Sequence, residues 1–328
     1  MTTQQHAAPS APGTIRAPRG GGNRHGGSRS GSRGRGSVNI GRNVFGYALL
    51  APQTLGMVVV GLVAIGGVVQ LSLTKVNVLA GTRDFVGLDN YARIFSDPDM
   101  TVVLSNTFFF VVVLSIGGTV LALALAILLN QKLPGINIFR AAIFIPALVT
   151  TVAWTLVWSF ILQPGGLFDG IVGAVGAGPF PWLRGGWLTL AVFAFIQLTK
   201  NVGINMMIFL AALQAVPQEL IDASHVDGAG PWTRFRHVVL PQISPAIIMV
   251  FMLMISGSFK VFELVLLMTN GGPGVQTSVL AFEIFRQAFR LNDIGYAAAL
   301  SVFLFVLVIA LIGIVWQLRK RLVFHESE

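Results

Sequence analysis

Apolar stretches long enough to cross a lipid bilayer recur along most of this 328-residue chain. About 20 residues of helix cross about 30 Å of hydrocarbon, and backbone groups in lipid must be paired within the segment, which favours helices. The alternating ten-residue segments that form a membrane barrel are not seen. We therefore predict an all-α membrane protein with six transmembrane helices, at residues 45–73, 107–129, 139–162, 187–213, 243–268 and 296–318.

The composition agrees with a membrane protein, since 54% of the residues are hydrophobic and only 11% are charged. A soluble domain carries about 25% charged residues. These values exclude an ordinary soluble enzyme, an intrinsically disordered protein and a disulfide-rich secreted module. The chain contains no cysteine, which excludes disulfides, thiolate zinc sites and a cysteine nucleophile.

Most of the net charge of +9 lies in residues 1–44, which contain seven arginines and no lysine or acidic residue. This segment has too few apolar residues to form a core, so we predict a disordered Arg/Gly-rich cytoplasmic tail. Its Gly-Arg sequences resemble RNA-binding tracts, but no aromatic residue that could stack on bases precedes Phe45. We expect the tail to set topology and to contact membrane lipid, with no nucleic-acid partner. A membrane-anchored RNA-binding protein is the distant alternative.

The positions of lysine and arginine predict the orientation in the membrane. With a cytoplasmic N-terminus, the cytoplasmic segments carry fourteen lysines and arginines, and the outside segments carry six. Basic residues near the spans concentrate on the cytoplasmic side. The predicted topology is therefore N-in/C-in, with a short C-terminal tail over residues 321–328.

The predicted cytoplasmic loop, residues 214–242, is the most informative segment. Pro217 suits the first turn of a helix, and Glu219 and Asp222 favour its positive N-terminal end. Gly228 permits the backbone reversal that ends this helix, and Pro231 can begin a second short helix. We expect a compact helical hairpin, a shape that fits a groove on a soluble partner.

This loop resembles the signature of permease subunits of binding-protein-dependent ABC importers. The signature reads Glu-Ala-Ala, three residues, Gly, nine residues, Ile, one residue and Leu-Pro. The matching residues here are Asp222, Ala223, Ser224, Gly228, Val238, Leu240 and Pro241. Where this chain departs from the signature, the replacements preserve the sign of the charge or the size.

Further segments resemble the sugar-permease branch of this family, the maltose and glycerol-3-phosphate type. They are residues 85–91, 105–107, 139–146, 259–263, 269–273 and 295–297. Together the resemblance covers roughly residues 45–320, which we predict to be one six-helix domain similar to type I ABC importer permeases.

The resemblance implies a transporter subunit of a bacterial or archaeal cell membrane. In this family two permease subunits form the pore, an ABC ATPase dimer docks on the cytoplasmic loops, and an extracytoplasmic binding protein delivers the solute. The cargo implied is a carbohydrate or a glycerol-phosphate-like molecule, moved by alternating access. ATP would be used by the partner ATPase, with no cofactor bound by this chain. The implied ATPase-coupling residues are Glu219, Asp222, Ala223, Ser224, Asp227, Gly228, Ala229, Leu240 and Pro241.

Charged residues within the predicted spans are candidates for the translocation path. Lys200, Lys260 and Glu263 are costly in hydrocarbon and normally face protein or water. Lys260 and Glu263 are three residues apart, so they can pair on one helical face, and snorkelling with a local ion pair is the alternative to a pore-lining role. Gln197 and Asn201 flank Lys200, forming a polar patch that fits either a sugar pathway or the junction with a partner permease.

Motifs for other chemistry are absent from the sequence. No Gly-x4-Gly-Lys-Ser/Thr phosphate loop occurs, so we expect no ATP hydrolysis and no catalytic residue in this chain. The histidines form no metal-ligand pair, and no metal site is expected. A secondary transporter is the main alternative, but it would be expected to show interrupted helices in inverted repeats, and we find no such self-similarity.

Overall fold

The computed structural model describes residues 40–77, 81–174, 176 and 181–322. The chain divides into two units after Met57, within its first helix. The described part of the first unit consists only of the start of that helix.

The described residues are mostly helical. Most of the long helices are apolar on all faces, which is the pattern of a helix surrounded by lipid or protein. The helices are α1 (Ile40–Ser72), α2 (Asp89–Ser96), α3 (Pro98–Val112), α4 (Gly118–Leu129), α5 (Ile136–Leu148), α6 (Thr151–Leu162), α7 (Leu167–Ala174), α8 (Gly186–Gln214), α9 (Gln218–Val226), α10 (Pro231–Arg234), α11 (Leu240–Gln242), α12 (Ser244–Ser258), α13 (Leu280–Phe285) and α14 (Ile294–Leu322). The π-helical turns are Val113–Gly117, Phe235–Val239, Val265–Thr269 and Arg286–Arg290.

Five segments of the described chain are long and apolar enough to cross a membrane. They are Leu50–Ser72, Pro98–Leu129, Thr151–Ala174, Gly186–Gln214 and Ile294–Leu318. A sixth arises if Pro231–Gln242 and Ser244–Ser258, which meet at an angle of 70°, are counted as one broken span. By length and composition, the protein is a mostly helical membrane protein with five to six candidate spans.

A short β-hairpin corrects the all-α prediction. Strand β1 (Thr74–Asn77) pairs antiparallel with β2 (Thr82–Phe85), and Lys75 lies opposite Asp84. The strands contain threonine, valine and phenylalanine, which favour extended backbone. The hairpin begins two residues after α1 ends.

The predicted third span, residues 139–162, is not one helix. Helix α5 ends at Leu148 and α6 begins at Thr151, because Val149 and Thr150 have extended backbone with ψ of 139° and 147°. Pro146, which lacks an N–H donor, weakens the last turn of α5. The side chain of Thr150 then accepts a hydrogen bond from the backbone N–H of Ala153 at 3.4 Å and begins α6.

The predicted fifth span, residues 243–268, is also interrupted. Helix α12 ends at Ser258, and residues 259–262 form turns before the backbone becomes helical again. Gly257 lies at this end, where its low helix propensity favours termination. Lys260 is therefore outside any helix.

The ends of the chain differ slightly from the predicted tails. Helix α1 begins at Ile40, so the last residues of the predicted tail over 1–44 are helical, consistent with the high helix propensity of arginine at position 42. Residues 1–39 lie outside the described residues. Helix α14 continues to Leu322, and residues 323–328 also lie outside them.

The core lies around α8. Phe193 and Ile196 pack with Phe110 of α3 and Val265, while Met206 and Phe209 pack with α4 and α12. Helix α1, in contrast, exposes apolar side chains along most of its described length. Such surfaces suit lipid or another membrane subunit.

A buried polar network joins α3 to the loop of residues 269–280. The side-chain amide of Asn106 donates to the carbonyl oxygens of Gln276 and Ser278, at 2.9 Å each. The hydroxyl of Thr107 accepts a hydrogen bond from the backbone N–H of Leu280 at 2.9 Å. These side chains therefore hold a loop that lies far from them in sequence.

Replacing Asn106 with alanine is expected to destabilise the protein. The carbonyl oxygens of Gln276 and Ser278 would lose their hydrogen bonds to this side chain while remaining inside the protein. We expect the free energy of unfolding to fall by about 2 kcal/mol or more. Thermal unfolding of the purified protein in detergent measures this effect. The matched control is Ser96→Ala, which removes one exposed hydroxyl bonded to the carbonyl of Arg93. Equal melting temperatures for the two variants would contradict the prediction.

Candidate coupling hairpin and interior polar residues

The loop that carries the sequence signature folds into a helical hairpin, residues 217–242, which we call the coupling hairpin. Its first limb is α9, which follows Pro217 and carries Glu219 in its first turn. Gly228 ends this limb with φ of +73°, a conformation that side chains rarely adopt. The backbone N–H of Ala229 then donates to the carbonyl of Ser224 at 2.9 Å and closes the reversal.

The second limb consists of α10, the π-helical turn Phe235–Val239 and α11. The guanidinium group of Arg234 contacts the imidazole ring of His225, with 3.1 Å between Nη1 and Nδ1. This contact links the two limbs. The second limb then meets α12 at an angle of 70°.

The structure places all nine predicted coupling residues on this hairpin, with different exposure. The exposed residues are Glu219, Asp222, Ala223, Asp227 and Gly228, the half-buried ones are Ala229, Leu240 and Pro241, and Ser224 is buried. The hydroxyl of Ser224 donates to the carbonyl of Ile221 at 2.6 Å. The side-chain amide of Gln218 donates to the carboxylate of Asp222 at 3.0 Å.

The hairpin also exposes two large apolar side chains. Val226 is 89% exposed and Trp232 is 70% exposed, and the ring of Trp232 lies 5.8 Å from that of Phe235. The available signals were Val226, two residues before Gly228, and Trp232, directly after Pro231. Large exposed apolar side chains on a small element indicate a contact surface.

Lys200 lies inside the protein. Only 7% of it is exposed, and its ammonium group donates to the carbonyl oxygen of Val149 at 2.6 Å. Gln197 is buried one turn away, and Asn201 is half-buried. Of these three residues, Lys200 reaches the break between α5 and α6.

Lys260 and Glu263, which could pair if they shared one helical face, do not form an ion pair. The ion pairs among the described residues join Arg93 with Asp293 and Arg286 with Glu283. Because α12 ends at Ser258, Lys260 and Glu263 do not share a helical face. Both instead line a cavity of about 520 Å³, together with Ser256, Phe259, Phe262, Ala281, Ser301, Leu304, Phe305 and Val308.

The five predicted path residues are therefore not gathered in one cavity. Lys260 and Glu263 line that cavity, whereas Gln197 and Lys200 lie buried on α8. In the described part of the chain, no group of three or more histidine and acidic residues has the arrangement of a metal site.

Known sequences match most of the chain. The trehalose/maltose transport system permease protein MalF of Thermococcus litoralis is 31% identical over 267 residues, which cover 80% of this chain and 90% of that protein. The sn-glycerol-3-phosphate transport system permease protein UgpA of Pectobacterium atrosepticum is 29% identical over 286 residues, covering 85% and 95%.

The fold also matches a solved structure. A chain from the crystal structure of a bacterial ABC transporter involved in the import of the acidic polysaccharide alginate superposes with a TM-score of 0.76 at 18% sequence identity. The match covers 86% of this chain and 97% of that chain. The protein therefore has the fold of an ABC importer permease.

Residues 107–323, more than half of the chain, match the family described as "Binding-protein-dependent transport system inner membrane component". Members are multi-pass membrane components without an ATPase domain, and ATP is used by a separate subunit in such systems. The predicted membrane location is thereby confirmed, as is the prediction that this chain is not itself an enzyme. The resemblance found in the 214–242 loop is confirmed as well: the chain belongs to the family of binding-protein-dependent inner membrane transport components and is a permease subunit of an ABC importer.

Proposed function

We propose that this permease subunit translocates a carbohydrate, or a glycerol-phosphate-like molecule, as one half of a heterodimeric pore. The observation that carries the proposal is the exposed coupling hairpin, because an importer subunit without an ATPase domain needs a surface through which ATP hydrolysis acts. The substrate class is supported by the names of the two relatives, a trehalose/maltose permease and a glycerol-3-phosphate permease.

The coupling hairpin is proposed to dock on one subunit of an ABC ATPase dimer. Asp222, one of its exposed carboxylates, and its exposed apolar residues Val226 and Trp232 provide charge and apolar surface for such a contact. Transport then requires the hairpin to contact the ATPase with different free energies in the two states of the pore, because a partner with equal affinity for both states shifts nothing.

The proposed topology is N-in/C-in. It is supported by the excess of lysine and arginine in the segments assigned to the cytoplasm. It also places the coupling hairpin in the cytoplasm, where ATP is available. The loops on the other side would then face an extracytoplasmic binding protein that delivers the substrate.

The proposed translocation path includes Lys260 and Glu263. Sugar hydroxyl groups require donors and acceptors, and the cavity lined by these two residues offers both beside the rings of Phe259 and Phe262. Gln197, Lys200 and Asn201 are assigned to the same path as residues of the adjoining interior. Lys200 contributes there by its hydrogen bond to the backbone carbonyl of Val149.

Substitutions in this cavity are expected to impair uptake. Lys260→Ala removes an ammonium donor from the cavity and Glu263→Gln removes the carboxylate charge, and we expect each to lower uptake by about fivefold while the subunits still assemble. Uptake of labelled substrate into proteoliposomes measures the effect. The control is Lys132→Ala, which removes an exposed lysine away from the cavity. Lys132 follows Leu129, and Leu129 belongs to the same apolar cluster as Ile243, next to the start of α12. Unchanged uptake in both cavity variants would refute this part of the path.

The proposed function itself is tested by reconstitution. The chain is co-purified with the permease, ATPase and binding protein encoded by neighbouring genes, and a panel of labelled sugars and glycerol phosphates is offered with and without ATP. ATP-dependent uptake of a member of this panel is the expected result. Uptake of only another class of solute would overturn the substrate assignment, and uptake driven by an ion gradient without ATP would favour a secondary transporter.

A further inference from the structure

A buried lysine on α8 holds the joint between α5 and α6. Val149 and Thr150 interrupt the helix, so the carbonyl groups at the end of α5 lack partners within their own helix. The ammonium group of Lys200 supplies one such partner, at 2.6 Å from the carbonyl oxygen of Val149. Hydrogen bonds from a charged donor are among the stronger ones in proteins.

Two further contacts attach α8 on either side of this joint. The indole N–H of Trp154, in the first turn of α6, donates to the carbonyl of Ile196 at 3.2 Å. Towards the other side, α5 approaches Gly203 so closely that an added Cβ would lie 2.4 Å from the carbonyl oxygen of Ile143. Lys200 is thus the middle of three successive contacts between α8 and the broken span.

Packing alone does not account for a lysine at this position. A buried charge carries a desolvation cost, and a well-packed apolar residue of similar volume is often equally or more stabilising. Neither ion pair of the described chain involves Lys200. Compared with a methionine of similar length, the lysine provides one additional interaction, the hydrogen bond from its ammonium group to the carbonyl oxygen of Val149.

Helix α8 connects this link to the coupling hairpin. It continues without interruption from Lys200 to Gln214, a rise of about 21 Å. Helix α9 of the hairpin then begins at Gln218. One continuous helix therefore connects the start of the coupling hairpin with the level of the joint at Val149.

We propose that Lys200 is a positioning residue for transport, which makes the α5–α6 joint follow α8 when the coupling hairpin moves. The inference rests on the proposed function in one respect, because it takes the hairpin to be the docking site of the ATPase. Lys200 does not need to touch the substrate for this role. It acts through the carbonyl group of Val149.

The test compares Lys200→Met with two other variants in the reconstituted complex. Lys200→Met keeps the length of the side chain and removes the donor, and we expect the number of substrate molecules taken up per ATP hydrolysed to fall by about tenfold. Lys200→Gln, which retains N–H donors, is expected to recover part of this ratio. The matched control is Thr199→Val, which removes a hydroxyl bonded within α8 to the carbonyl of Ile196 and should leave the ratio unchanged.

Three outcomes of this comparison would overturn the proposal. The first is a wild-type ratio of uptake to hydrolysis in Lys200→Met. The second is an equal loss in Lys200→Met and Thr199→Val, which would indicate general packing of α8. The third is failure of Lys200→Met to assemble, which would assign the lysine to folding.

A distance measurement separates this inference from the proposed function. The chain has no cysteine, so Val152→Cys on α6 and Ile204→Cys on α8, both at exposed positions, can carry spin labels in a chain with no other thiol. In the assembled complex, we expect one narrow distribution of distances with Lys200 and a broader or shifted one with Lys200→Met. Identical distributions would overturn the inference. The measurement needs no substrate, so it stands even if no carbohydrate is transported.

Discussion

A chain carrying Gly228→Trp is expected to assemble in the membrane but to lose ATP-driven uptake by about tenfold or more. Gly228 has φ of +73°, in the region where L residues are strained by about 1–2 kcal/mol. Apart from its two chain neighbours, no described residue has an atom within 4 Å of an added Cβ, so the indole would project outward from the tip of the coupling hairpin. It would occupy the space that the proposed ATPase contact requires. Uptake and ATP hydrolysis by the reconstituted complex measure the effect.

Gly81→Trp is the matched control for this prediction. Gly81 also has positive φ, at +67°, and open space around an added Cβ, but it lies in the turn between β1 and β2. The control therefore has the same strain and bulk in another place, and it should retain the ATPase and its coupled hydrolysis. Normal transport by Gly228→Trp in an assembled complex would refute the coupling role. Asp222→Lys, which reverses an exposed charge on the same hairpin, is expected to affect the same step.

Gly203→Ala is expected to prevent the formation of a stable folded protein. The added Cβ would lie 2.4 Å from the carbonyl oxygen of Ile143 and 2.8 Å from Cα of Phe144, and both are backbone atoms that no rotamer change can move. Helices α5 and α8 would have to separate, at a cost of about 3 kcal/mol or more. The yield and melting temperature of the purified protein in detergent measure this loss.

Gly257→Ala is the control that tests whether replacing any helical glycine with alanine destabilises the protein. Gly257 lies in α12, and an added Cβ there meets nothing within 4 Å. Because alanine loses less conformational entropy on folding, this variant should be neutral or more stable by about 0.5–1 kcal/mol. Similar melting temperatures for the two variants would show that the α5–α8 approach at Gly203 is not tight.

The shape of the coupling hairpin was predictable because each of its turns is encoded by a residue acting on its own backbone. Pro217 and Pro231 can begin helices, and Gly228 can adopt the positive φ that ends α9. The exposure of Trp232 was not predictable. It depends on which face of a short limb packs against the rest of the molecule.

The interruptions of the predicted third and fifth spans, in contrast, were not predictable from the sequence. Hydropathy averaged over 20 residues continues through Val149 and through Ser258, since neither interruption brings a long polar stretch into the sequence. Pro146 and Gly257 were visible signals, but both residues also occur inside intact membrane helices. The alternative that paired Lys260 with Glu263 is excluded for the same reason, because it required a continuous helix and α12 ends at Ser258.

The sequence by itself determined the class of the protein, its family and the turns of its coupling hairpin. Span length, the distribution of charge and the spacing of the signature are properties of neighbouring residues, and they need no knowledge of packing. Only the tertiary structure decided what Lys200 and Gly203 contact. The partner of Lys200 is a carbonyl group 51 residues away, and it is free to accept because α5 ends where it does. Such contacts depend on which helices lie side by side, and the uniform apolar surfaces of these helices do not encode that choice locally.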